Sequence, residues 1–154
     1  MELWNHFRES GGTTVIVLLM CAVAVPALGS EPTCAGLWKT IDDKTGQPRG
    51  LVRLYEENGE FFGRVERSLD PAEANERCGK CTGARKNQPV VGMVILRRMK
   101  KSGQEYSGGD ILDPDTGTVY RCRIRVTDAG RKLELRGYFG LAMLGRSQVW
   151  IREE

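Results

Sequence analysis

Histidine is almost absent from this chain of 154 residues: His6 is the sole example, and aromatic side chains make up only 7% of the total. No apolar run approaches the roughly 20 residues that a helix needs to cross a bilayer. Nor is there a strong excess of one charge, with 23 Lys and Arg against 20 Asp and Glu. Nucleic acid is therefore not expected as a partner, since it calls for a concentrated basic face. Sustained helical periodicity is missing too, which leaves short alternating segments as the main structural signal.

The first segment reads as a secretory leader. A polar start containing Arg8 precedes an apolar run from Val15 to Val25, followed by Pro26-Ala27-Leu28-Gly29 and Ser30. Ala27 and Gly29 offer the small side chains that a signal peptidase pocket admits, so cleavage is expected after Gly29. A retained anchor is the alternative, but the run is too short to give a stable transmembrane anchor. Cys21 is preceded by Met20, where acylation would require a small residue. The division expected is residues 1–29 as signal peptide and 30–154 as a single domain, periplasmic or secreted.

Cleavage would leave 125 residues with 22 basic and 18 acidic side chains, enough chain for one core. It would also remove His6. The remainder then cannot build a histidine triad, a Cys-His nucleophile pair or a His-ligated metal centre. No catalytic residue, metal ligand set or cofactor is assigned, and a noncatalytic role is favoured over an enzyme.

Turn signals punctuate the rest at short intervals. Strands are expected over residues 36–41, 50–56, 61–69, 90–98, 105–112, 120–126, 132–138 and 146–152, with Asn58-Gly59 as a tight hairpin. Within the third, Phe61, Gly63 and Val65 share one face and Phe62, Arg64 and Glu66 the other. The sixth is stricter still, with Tyr120, Cys122, Ile124 and Val126 opposite Arg121, Arg123 and Arg125. Each strand therefore has one wet face. A polar stretch through Gln88 interrupts the series, with a short helical turn expected near residues 72–76. Eight strands joined in order by short turns close most economically into an antiparallel up-and-down β-barrel, which removes exposed edges. An open sandwich is the competing all-β arrangement.

The run from Cys78-Gly79-Lys80-Cys81 through Thr82-Gly83-Ala84-Arg85-Lys86-Asn87-Gln88-Pro89, followed by Val91-Gly92-Met93, resembles the bacterial family called Domain of Unknown Function 2147. Gly36-Leu37-Trp38, the segment from Ser107 to Pro114, Arg136-Gly137-Tyr138 and the segment from Leu144 to Trp150 resemble it in the same order. The resemblance implies an exported, lipocalin-like (calycin-like) barrel without an established biochemical activity. Gly36-x-Trp38 is also similar to the first strand of lipocalins, in which a basic residue late in the last strand packs over the indole. Arg152 is the expected partner, with Arg146 second, and the contact would contribute about 0.5–2 kcal/mol.

Cys34, Cys78, Cys81 and Cys122 form an even set for an oxidising compartment. Spacing does not choose among the three possible pairings, and Cys78–Cys81 with Cys34–Cys122 is the one favoured. Cys78-x-x-Cys81 also fits redox exchange or a zinc site, but it lies in a polar loop between strands, without a βαβ unit. Asp113-x-Asp115-x-Gly117 has the first spacing of a calcium loop, yet Asp-Pro-Asp-Thr-Gly reads more simply as a turn. Paired carboxylates for glycoside hydrolysis give no positive signal.

Alternation assigns Val52, Leu54, Phe61, Val65, Tyr120, Ile124, Leu133, Leu135 and Val149 to the wall of an internal cavity. The apolar connection containing Phe139, Leu141, Met143 and Leu144 is expected as a lid or a plug. Lys80, Arg85 and Lys86 form a basic cluster suited either to an anion or to plain solvation. The working expectation is an exported protein that holds a small apolar or amphipathic molecule in its barrel. A cell-envelope module with a filled barrel, engaging a protein or glycan, is the alternative.

Overall fold

The computed structural model describes residues 31–140 and 145–154. The expected leader and the lid residues Leu141, Met143 and Leu144 lie outside them. The strands are β1 Gly36–Ile41, β2 Pro48–Glu57, β3 Glu60–Ser68, β4 Val94–Ser102, β5 Glu105–Ser107, β6 Asp110–Asp113, β7 Thr118–Thr127, β8 Lys132–Tyr138 and β9 Gly145–Arg152. All pairings between them are antiparallel.

Sequence neighbours pair in order, and β1 with β9 completes the ring. Strands β5 and β6 both sit between β4 and β7, so they are two halves of one strand and the barrel is eight-stranded. The expected continuous segment 105–112 breaks at Gly108-Gly109. There a Cβ on Gly109 would lie 2.1 Å from the Arg97 carbonyl oxygen, closer than ladder pairing of a substituted residue permits. Position 109 therefore requires glycine.

The β2–β3 hairpin follows directly from its sequence. Asn58 and Gly59 take φ of 53° and 78°, the left-handed pair that matches the twist of flanking strands. Strand β4 departs from expectation, beginning at Val94 instead of residue 90. Residues 90–93 are used otherwise: Val90 N–H donates to Glu76, Gly92 N–H to Val65, and Met93 N–H to Val90. They form a turn across the end of β3, and pairing starts only after it. Within β4 the register against β3 then shifts twice, with Arg98 at φ 54° inside the second irregularity, between Leu96 and Met99. The helical turn expected near 72–76 is a single 3-10 turn, Pro71–Glu73, capped by the Asp70 side chain accepting from Ala72 N–H.

One end of the barrel is packed solid. Phe61 meets Tyr106 edge-on with ring centroids 4.8 Å apart, among fully buried Leu54, Met99, Ile124 and Leu133. Beneath them Trp38 is buried, its indole N–H donating to the Cys34 carbonyl at 2.8 Å. The Arg152 guanidinium lies 4.1 Å from the indole centroid. It also donates to the carbonyls of Gly130 at 2.5 Å, Thr33 at 2.6 Å and Ala35 at 2.9 Å. One planar cation thus ties the leading segment, the β7–β8 turn and the last strand to the floor.

Replacing Arg152 by Ala leaves three carbonyls without that donor and uncovers the indole. The expected loss is about 3 kcal/mol in urea unfolding, from charge-assisted hydrogen bonds plus stacking. Arg152→Lys is expected to recover little of it, because an ammonium lacks the planar fork.

Candidate functional site

The other end is hollow. A cavity of about 180 Å³ lies between the sheet walls, open at the end formed by the β1–β2, β3–β4 and β6–β7 connections. Its depth is apolar, with Val52, Val65, Ile95, Ile111, Leu135 and Trp150 among the lining residues. Its mouth is charged, including Asp42, Arg49, Glu73, Glu76, Asp115 and Arg146.

Of the residues expected on the wall, Val52, Val65, Tyr120 and Leu135 line this cavity. Leu54, Phe61, Ile124 and Leu133 instead belong to the packed core outside its lining. A two-residue period identifies the inward face of a strand, but carries no information on depth along the axis. Val149 is a correction of a different kind: it is 44% exposed and points outward. The pairing of Trp38 with Arg152 sets β9 so that Trp150 and Arg152 face inward, and Val149 falls on the opposite parity. Ile95, Ile111 and Trp150 were missed. Trp150 was legible, since it shares parity with Arg152, whereas Ile95 depended on the displaced start of β4.

Phe139 is 54% exposed, so it does not plug the barrel. Its ring lies 4.6 Å from that of Tyr120, which itself lines the cavity.

The mouth is held by ion pairs. Arg49 grips Asp115 through two contacts, at 2.5 and 2.7 Å, and its Nε reaches Glu73 at 3.3 Å. Arg146 pairs with Asp43 across the β1–β2 turn, with its Nε at 2.6 Å. Asp113 shapes the β6–β7 turn, its side chain accepting from Asp115 N–H and its carbonyl from Gly117 N–H. Asp113-x-Asp115 is therefore turn and clasp, and among the described residues no cluster of His, Cys, Asp or Glu is arranged to hold a metal.

Residues 36–152 match the family described as "Uncharacterized protein conserved in bacteria (DUF2147)". The chain belongs to this family. A similar solved structure is that of protein HP1028 from the human pathogen Helicobacter pylori, described as belonging to the lipocalin family. It superposes with a TM-score of 0.70 at 20% identity, over 79% of this chain and 84% of that one. The two share a fold. No curated protein matches the sequence.

The motif that carries the DUF2147 resemblance has a structural task. Cys78 and Cys81 are disulfide-bonded, with Cα atoms 5.3 Å apart. Cys78 N–H donates to Gln88 and Asn87 N–H back to Cys78, closing the loop on itself. The loop packs on the mouth turn: the Cys78 sulfur lies 3.3 Å from the Pro114 carbonyl oxygen. A Cβ on Gly117 would come within 2.2 Å of the Lys80 carbonyl oxygen. Of the basic cluster, Lys80 and Lys86 are exposed while Arg85 is half-buried. Burial and the nearby Arg97 charge push the Arg85 pKa down.

The second expected bridge is absent: Cys34 and Cys122 are free, buried thiols. Cys34 precedes β1 at the floor, its N–H donating to the Tyr106 hydroxyl. Cys122 sits on β7, two residues toward the mouth from Ile124, which pairs with Tyr106. Cys34 lies before the first strand, so strand alternation gave no basis for placing it beside Cys122. Burial pushes both thiols up to about 12 from the ordinary 9.0.

A thiol whose folded pKa is raised stays neutral in the barrel while the unfolded chain ionises. The stability it contributes is fully present below about pH 9 and is lost as pH rises toward 12, at up to about 1.4 kcal/mol per pH unit for each thiol. Urea unfolding between pH 8 and 10.5 is expected to show a shallower decline in the Cys34→Ala, Cys122→Ala double variant. Iodoacetamide at pH 8 is expected to label neither thiol until denaturant is added.

Proposed function

We propose that this chain is an exported binding protein that holds a small apolar or amphipathic molecule in the open end of its barrel. The observation that carries the reading is the contrast between the two ends. The same alternating strands fill the floor with fully buried side chains and leave an apolar hollow of about 180 Å³ under the mouth. An apolar cavity of roughly 150 Å³ is already large enough to take up a benzene-sized molecule. None of the described polar or charged residues is buried in the core, so recognition in the depth rests on shape and desolvation.

Export is supported by the leader-like segment ahead of Ser30 and by the Cys78–Cys81 disulfide, which persists in an oxidising compartment. The periplasm or the medium is the proposed address. Protein recovered from the producing bacterium is expected to begin at Ser30 on N-terminal sequencing. A sequence beginning at Met1 would overturn the cleavage.

Native mass spectrometry of envelope-purified protein, followed by denaturing analysis, is expected to release a small molecule at one per chain. A ligand-free mass together with no uptake of 1-octanol would favour the envelope interaction module. Val65→Trp fills the hollow from β3. It is expected to weaken octanol binding by about tenfold or more, a loss of about 1.4 kcal/mol, without lowering the melting temperature.

A further inference from the structure

We propose that the cavity selects ligands with a cationic head, an amine on an apolar body, and disfavours carboxylates of the same length. The inference rests on the binding reading above and adds the head-group class. An apolar tail enters the hollow lined by Val52, Val65, Leu135 and Trp150, which leaves the ligand's polar end among the charged mouth residues.

Those residues are unbalanced. Five carboxylates contribute to the lining against three guanidinium groups, and Asp43 adds a further carboxylate through its pair with Arg146. Two of the guanidiniums are already committed. Arg49 is gripped bidentately by Asp115 and reached by Glu73, so the donor fork that would receive a ligand carboxylate is taken. Arg146 holds Asp43 and also feels Asp113 and Asp42. The third, Arg67, is exposed on β3 and pairs in register with Leu51 beside the β2–β3 bulge.

On the acidic side a group is left over. Glu76 is half-buried beside the mouth, among Glu73 and Asp115, and none of the ion pairs among the described residues includes it. Burial and those two carboxylates push its pKa up, the direction expected of an acid short of a cation. A ligand ammonium supplies that cation. A ligand carboxylate brings one more negative charge to a lining that already holds five carboxylates, and two of its three guanidiniums are committed.

The test is a matched series, octylamine, 1-octanol and octanoate, titrated against the full mature chain at pH 7 with amide NMR shifts as the readout. Octylamine is expected to bind about tenfold tighter than octanoate, with octanol between them, and Glu76→Gln to shrink the amine advantage without changing octanol. Octanol binding with octanoate equal to or tighter than octylamine would overturn the head-group inference and leave the cavity reading intact. An amine advantage that survives unchanged in Glu76→Gln would overturn the assignment to this cluster. Failure of all three probes to shift the amides of Val52, Val65 and Leu135 would overturn both readings.

Discussion

The stack of Arg152 on Trp38 is the constraint from which the rest of the barrel follows. It joins the first strand to the last, and the pairing of Trp38 with Arg152 fixes the register of that seam. A one-residue slip would turn every side chain of β9 to the other face. With the seam set, Trp150 faces the interior and the hydrogen bonds of Arg152 tie down the floor. The packed volume is concentrated at that end, and the unfilled volume is left at the other.

The two ends are stabilised by different physics. The floor rests on burial, where aromatic and aliphatic groups leave water at about 25 cal/mol per Å². The mouth consists of turns too polar to pack in that way. It is held by the Arg49–Asp115–Glu73 and Arg146–Asp43 contacts and by the Cys78–Cys81 loop braced on Pro114. Partly exposed ion pairs contribute roughly 0–1 kcal/mol each, so the mouth is the end that opens at lower cost.

Much of this was legible in the sequence. The strict alternation of residues 120–126, the Asn58-Gly59 hairpin and the Gly36-x-Trp38 opening with Arg152 all correspond to observed elements. What failed had a common cause, since a period of two specifies a face and nothing else. It does not say how deep a residue sits, which is why Leu54, Phe61, Ile124 and Leu133 were assigned to the cavity wall. It does not reach Cys34, which precedes the first strand, so it could not test the expected pairing with Cys122. Nor does it reveal a backbone approach such as that of Gly109 to Arg97, at the break between β5 and β6. Alternation without an anchor also leaves β9 open to either parity, and only the seam of Arg152 with Trp38 selects Trp150 over Val149.

The open end of this DUF2147 barrel is an apolar hollow and not a packed core. A high-resolution crystal structure of the mature protein under xenon pressure tests it most directly, because xenon enters apolar voids and is excluded from packed interiors. The account predicts xenon density between Val52, Val65, Leu135 and Trp150, with none around Leu54, Ile124 and Leu133. Side chains filling the space under Tyr120, with no xenon there, would contradict it.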